Sequence, residues 1–203
     1  MRLGLFGGSF DPVHLGHLLL AEFCREQCRL DQVWFVPAAV SPHKQRQAVT
    51  SPEQRVEMLK LAIGGQESFA VWTGELDRGG VSYTIDTLTR VHAEQPDCEL
   101  FFLMGGDSLA DLPTWREPGH ICQLAVPVVV RRAGSPEPDF LPLAEWVSAD
   151  RLATIRQSQV TMPLIELSSR EIRRRVAAGE SIRYQTPRAV EMYIRTHGLY
   201  GAK

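Results

Sequence analysis

The sequence predicts an α/β fold: a doubly wound parallel sheet with helices on both faces and a small helical part towards the C-terminal end. Three observations carry that reading. Short apolar stretches alternate along the chain with longer stretches of helical character. The short ones are rich in Val, Leu and Phe and lack polar–apolar alternation, so they suit strands covered on both faces. The first of them runs straight into a glycine-rich turn and then a helix, an order that places ligands at the C-terminal ends of parallel strands.

In chain order, Arg2–Phe6 is the first strand, with Leu3, Leu5 and Phe6 as its apolar content, and a helix begins near Leu15. Gln32–Val36 is the second strand. Ser51-Pro52-Glu53-Gln54 opens a helix near Pro52, with a hydroxyl N-cap, proline at the first helical position and Gln three residues after the cap. Phe69–Trp72 is the third strand, and the helix near Thr84 follows, with Ile85, Leu88 and Val91 as its apolar stripe. Glu99–Met104 breaks through Gly105-Gly106 into a helix near Ser108. Leu124–Val130 and Val160–Ile165 are the fifth and sixth strands, with a helix from near Leu141 between them. The last two helices begin near Ser169 and Pro187; Thr186 caps the second and Gly198 ends it. Pro37 to Thr50 and Arg132 to Pro138 are irregular and are candidate substrate loops.

A chain of 203 residues suits one domain, 1–203, and its 44% hydrophobic and 23% charged content is that of a soluble globular protein. No apolar run approaches the roughly 18–20 residues of a membrane span. The start has one Arg and a short strand leading directly to glycines, so no signal peptide is expected. Cys24, Cys28, Cys98 and Cys122 show no C-x-x-C spacing, and the first two pack as small hydrophobes on one helix face. A reducing compartment fits this usage, so a cytoplasmic protein is expected. The net charge of −2 is uneven: Ser168 to Lys203 carries eight Lys/Arg against three Asp/Glu. Those arginines alternate with apolar residues on two helices, so a local anionic ligand explains them with less assumed than nucleic acid does. Neither a nucleic-acid nor a membrane partner is expected; oligomeric state is left open, a homo-oligomer included.

The run Gly7-Gly8-Ser9-Phe10-Asp11-Pro12-Val13-His14-Leu15-Gly16-His17 carries most of the chemistry. Glycines at a strand's C-terminal end let backbone amides approach an anion. The following helix points its positive end at the same place. His14 and His17, three apart, direct both rings to one side, and Gly16 leaves room between them. A zinc site would need further ligands, and no Cys or Glu-x-x-His pair stands near. The element reads as a phosphate site with two imidazoles aimed into it.

Further candidates follow the same logic. Lys44, in Ser41-Pro42-His43-Lys44, is a solvated lysine or a mobile cation for phosphate oxygens. Ser168-Ser169-Arg170-Glu171-Ile172-Arg173 is a capping box with a Leu167–Ile172 staple, and its two hydroxyls and Arg173 also make a polyphosphate seat. Asp107, after Gly105-Gly106, caps its helix or accepts from a ribose or adenine group. Trp115 is core or stacks on a flat ring. Ser82-Tyr83-Thr84 is a hydroxyl-rich helix start, able to hold a small anion such as a ring carboxylate.

The glycine–histidine run resembles the first motif of the nucleotidylyltransferase superfamily, whose H-x-G-H histidines contact a nucleoside triphosphate. S-P-H-K, S-Y-T-I-D-T-L, F-L-M-G-G-D-S-L with Trp115, L-S-S-R-E-I-R and P-R-A-V-E-M-Y-I follow in one order over the whole chain. Together they are similar to the bacterial nicotinate-mononucleotide adenylyltransferase family. The motifs depart from the family's pattern at Leu167 and Arg170, where Ile and Thr are usual, and at Gly106, where Ala is usual. The resemblance implies a Rossmann-like fold, Mg²⁺ with ATP, and transfer of the adenylyl group to nicotinate mononucleotide, giving deamido-NAD and pyrophosphate. It implies that His14, His17, Lys44 and Arg173 are the catalytic set. ATP would be held by Gly7, Gly8, Ser9, Phe10, Gly105, Asp107, Ser168 and Ser169 together with His14, His17 and Arg173. The mononucleotide would be held by Ser9, Lys44, Ser82, Tyr83, Thr84, Trp115 and Arg132, and no protein metal ligand is implied. A phosphate monoester is already mostly dianionic at neutral pH, so the reaction needs no general base. The alternatives are an adenylyltransferase for nicotinamide mononucleotide or another phosphomonoester, a non-catalytic nucleotide-binding regulator, and a nucleic-acid binder.

Overall fold

The computed structural model describes residues 1–40, 50–132, 134 and 136–201. Lys44 and the rest of 41–49 lie outside the described residues. Among those described, six strands form one parallel sheet: β1 (Arg2–Gly8), β2 (Gln32–Pro37), β3 (Phe69–Val71), β4 (Glu99–Gly105), β5 (Ala125–Arg132) and β6 (Val160–Met162). Their order across the sheet is β3-β2-β1-β4-β5-β6, every neighbouring pair parallel. The chain moves outward in one direction from β1 and in the other from β4. That reversal leaves a crevice at the C-terminal ends of β1 and β4, where an open α/β sheet binds its ligands.

The central strands β1, β4 and β5 are buried on both faces, as the unbroken apolar runs require. Leu3, Leu5 and Phe6 of β1, Leu100, Phe101, Leu103 and Met104 of β4, and Val126, Val128, Val129 and Val130 of β5 all belong to one core. Pro127, mid-strand in β5, donates no ladder hydrogen bond. It is tolerated because β6 pairs only with Val130, Arg131 and Arg132. The sixth strand stops at Met162 rather than reaching Ile165, because Pro163 follows and cannot continue the ladder.

Helices α1 (Leu15–Gln27), α2 (Pro52–Ile63), α3 (Gly74–Arg78), α4 (Thr84–Glu94), α5 (Gly106–Asp111), α6 (Pro118–Leu124), α7 (Ala149–Gln157), α8 (Ser169–Ala177) and α9 (Arg188–Thr196) fill the connections. The expected capping box is present at α2, where Ser51 Oγ accepts from the Gln54 amide and Gln54 returns the bond. Gly198, at φ 58°, ends the chain's last helix as its position suggested. The sequence reading missed α3 and α6. It also began at Leu141 a helix that is only a 3₁₀ turn (Leu141–Glu145); α7 starts at Ala149, capped by Ser148. Leu124, expected to open β5, is instead the last residue of α6. Leu18, Leu20 and Phe23 of α1 pack against the core, whereas the stripe of α4, Ile85, Leu88 and Val91, is buried within it.

Candidate active site

Two cavities open at the crevice and share the dipeptide Gly8-Ser9 at the end of β1. The first, of ≈ 400 Å³, is walled by Gly7, Glu75, Ser82, Tyr83, Thr84, Thr87, Trp115 and Arg116 among others. The second, of ≈ 440 Å³, is walled by His14, Gly16, His17, Ser168, Ser169, Arg170 and Arg173. One is aromatic and hydroxyl-lined. The other carries imidazoles, hydroxyls and guanidinium groups at the N-terminal ends of α1 and α8, where backbone N–H groups and the helix dipole favour an anion.

The loop between them is built by close approach. A Cβ on Gly8 would sit 2.9 Å from Phe10 Cζ, so only glycine lets the Phe10 ring fold back over it. Phe10 holds φ 47° to make that fold, and its ring is buried against Phe6, Phe35 and His17 at centroid distances of 5.4, 5.6 and 5.1 Å. The Phe10 side chain therefore shapes the loop from inside the core and lines neither cavity. Backbone carbonyls of the loop are taken up from elsewhere in the chain. Arg55 Nη1 donates to Ser9 O (2.9 Å), Arg173 Nη1 to Asp11 O (2.6 Å), Ser169 Oγ to Pro12 O (2.9 Å) and Thr186 Oγ1 to Val13 O (2.8 Å). The Asp11 carboxylate, fully buried, accepts from the Thr50 hydroxyl and from Tyr200, both at 2.6 Å.

His14 occupies the N-cap of α1, and its amide donates to His17 Nδ1 at 3.2 Å. That bond makes Nδ1 the acceptor, so the neutral His17 ring carries its proton on Nε2. The two rings stack, centroids 3.6 Å apart and 22° from parallel. His14 is buried and its Nδ1 has no hydrogen-bond partner. Burial pushes its pKa down to about 4, so at neutral pH the ring is uncharged.

Several sequence assignments are corrected here. Thr186 does not cap α9: Pro187 occupies the N-cap, and the Thr186 hydroxyl is buried on Val13. Asp107 does not cap α5, whose N-cap is Gly105; it stands in the first turn, and neither Gly105 nor Asp107 lines either cavity. Ser82 is not the N-cap of α4, a place taken by Tyr83; its Oγ accepts instead from the Ala39 amide at 2.9 Å. At α8 Ser168 Oγ does accept from the Glu171 amide, at 3.2 Å, but the Glu171 carboxylate turns to Arg174 at 2.7 Å, so the box is made in one direction only. Arg132 ends β5.

Glu75 and Arg116 belong to the first cavity and were missed. Glu75 is buried on the short α3 and accepts the Thr87 hydroxyl at 2.6 Å, and burial raises its pKa. Arg116 lies over the Tyr83 ring, 5.2 Å from its centroid. Trp115 meets Phe102 edge-on at 6.0 Å, and its indole N–H is buried without a partner. An acidic residue in a five-residue helix and an arginine after a tryptophan carry no periodic signal that would have marked either.

The parallel sheet carries two stacked imidazoles beside its switch point, and the chain matches the cytidylyltransferase-like family over residues 5–175, which makes it a nucleotidyltransferase. Within it, the chain is 47% identical over 199 residues to a Thermomicrobium roseum protein named "Probable nicotinate-nucleotide adenylyltransferase", covering 98% of this chain and 91% of that one. A Thermus thermophilus protein of the same name is 46% identical over 200 residues, covering 98% and 100%. The chain belongs to the nicotinate-nucleotide adenylyltransferase family. In fold it is similar to the Plasmodium falciparum nicotinic acid mononucleotide adenylyltransferase complexed with NaAD, with a TM-score of 0.73 at 16% identity, covering 100% of this chain and 98% of that one. No helix among the described residues is long and apolar enough to cross a membrane.

Proposed function

We propose that this protein transfers the adenylyl group of ATP to nicotinate mononucleotide, giving deamido-NAD and pyrophosphate. The observation that carries the reading is the meeting of two cavities at Gly8-Ser9. A nucleotide triphosphate in one and a mononucleotide in the other would bring two phosphates together at that dipeptide. The family membership gives the reaction class, and the four free cysteines fit a cytoplasmic enzyme.

In this reading the chain's work is positioning and charge neutralisation, which is most of what phosphoryl transfer asks of a protein. His17, His14, Ser168 and Arg173 stand in the second cavity and hold the triphosphate, and Lys44 is assigned to the same phosphates. The N–H on His17 Nε2 donates to the reacting phosphate, and the stack with His14 fixes its plane. Asp107 and Gly105 serve the adenosine end of ATP; Ser169 belongs to the phosphate seat, and because its hydroxyl already spends its proton on Pro12, its part falls to its amide. The pyridine ring enters the first cavity against Trp115 and Tyr83. Its carboxylate takes the N–H groups at the start of α4 near Thr84 and the unpartnered indole N–H, with Arg132 assisting. Among the described residues no cluster of His, Cys, Asp or Glu is placed to hold a metal ion. In this reading Mg²⁺ enters with ATP as part of the substrate.

The test offers purified protein, ATP and Mg²⁺ with nicotinate or nicotinamide mononucleotide in parallel, and follows dinucleotide by chromatography. Preference for the acid is the expected result. Equal use of both mononucleotides would remove the carboxylate seat, and no dinucleotide from either would overturn the reading.

A further inference from the structure

Glu75 is the one buried carboxylate among the residues lining the first cavity, and it ties α3 to α4. Thr87 Oγ1 donates to it at 2.6 Å from within α4. Ahead of that helix, Ser82 Oγ accepts the Ala39 amide at 2.9 Å, and the Ser82 amide donates to Val40 O at 2.9 Å. The segment entering α4 is thus tied to the chain leaving β2, and α4 itself to α3. α3 is itself held: Arg90 Nη1 of α4 donates to Gly74 O at 2.9 Å. Tyr83 and Thr84, which line the cavity, lie between Ser82 and Thr87, so this clamp fixes the turn that opens α4. The N-cap of α4 makes no side-chain hydrogen bond of its own, which leaves the clamp to set that turn.

The consequence concerns selectivity. The Thr87 hydroxyl proton is spent on Glu75, so Thr87 has none to give a ligand. The donors near the start of α4 include its first backbone N–H groups and the buried, unpartnered Trp115 indole. A ring substituent held by such donors is best a carboxylate, because the NH₂ of a carboxamide would face them. We propose that Glu75 is a positioning residue that sets acid-over-amide selectivity by holding the first turn of α4; this rests on the adenylyltransferase reading above.

The experiment compares the wild type with Glu75→Ala and Glu75→Gln, measuring kcat and KM for ATP and for both mononucleotides. Gln keeps an acceptor for Thr87. In Glu75→Ala the acid/amide ratio of kcat/KM falls about tenfold or more through KM for the acid, while KM for ATP stays within about twofold. Glu75→Gln recovers most of the ratio. If Glu75→Ala does not fold, Thr87→Val removes one arm of the clamp and Thr87→Ser restores it, with the same pattern expected. An unchanged ratio, or KM for ATP and for the acid rising together, would overturn the proposal. A wild type that makes no dinucleotide would instead overturn the reading beneath it.

Discussion

The hydroxyl of Tyr200 donates to the carboxylate of Asp11 at 2.6 Å, joining the last described turn of the chain to the loop that carries both site histidines. Thr50 Oγ1 reaches the same oxygen at 2.6 Å, and Arg55, itself buried, supplies the nearby positive charge. The loop's shape thus depends on residues far away in sequence. Tyr200→Phe removes one donor from a buried carboxylate and should cost about 1–3 kcal/mol. Urea unfolding at neutral pH measures it. A loss below a few tenths of a kcal/mol would mean that water replaces the hydroxyl without penalty.

Gly16→Ala separates stability from activity. A Cβ there would lie 3.1 Å from His14 Nδ1, tighter than ordinary packing, so the imidazole must shift. Ala in a helix is favoured over Gly by about 1 kcal/mol. We expect unfolding free energy within about that amount of the wild type and kcat/KM down on the order of 10²-fold from the displaced ring. Wild-type activity in Gly16→Ala would show that the ring's position is not critical.

Much of this architecture is legible in the sequence, and the parts that are not have physical causes. The unbroken apolar runs of β1, β4 and β5 report two-sided burial, and the Gly8 and Gly16 positions report close approach, because both are local properties. Thr186 misled because a hydroxyl before a helix looks the same whether it caps that helix or is spent elsewhere. Thr186 went to Val13, 173 residues away. Glu75 was invisible for a related reason: it meets its partner Thr87 only once α3 and α4 are packed.

Acid should report on His14. Its pKa falls from 6.5 unfolded to about 4 folded, so its contribution to stability is complete above about pH 6.5 and is lost as the pH drops towards 4. Over that window the unfolded chain takes up a proton that the buried ring refuses. The slope from this one group approaches about 1.4 kcal/mol per pH unit. In His14→Phe, which fills the space and does not titrate, unfolding free energy should fall less steeply between pH 6.5 and 4.5 than in the wild type. Parallel slopes in the two proteins would show that His14 is not held neutral.

His17→Ala tests the donor at the reacting phosphate. The ring is wedged between the His14 stack and the Phe10 edge, and its removal should lower kcat on the order of 10²–10³-fold, as for one preorganised donor. Circular dichroism should be unchanged. Turnover at the wild-type level would reject the role.

Arg173 has two tasks, and its variants should separate them. Its Nη1 holds the Asp11 carbonyl at 2.6 Å, while the side chain lines the second cavity. A guanidinium has five donors, so the anchor does not exhaust it. Arg173→Ala should therefore raise KM for ATP about tenfold or more and also cost about 1.5–3 kcal/mol of stability, the range for a hydrogen bond from a charged group. KM for the mononucleotide should change little, because the first cavity does not include this residue. Arg173→Lys keeps the charge but loses the fork, so it can satisfy the carbonyl or the phosphates and not both. It should recover part of one quantity at the expense of the other. A defect confined to the mononucleotide would move Arg173 out of the ATP side altogether, and a defect in stability alone would leave it as an anchor only.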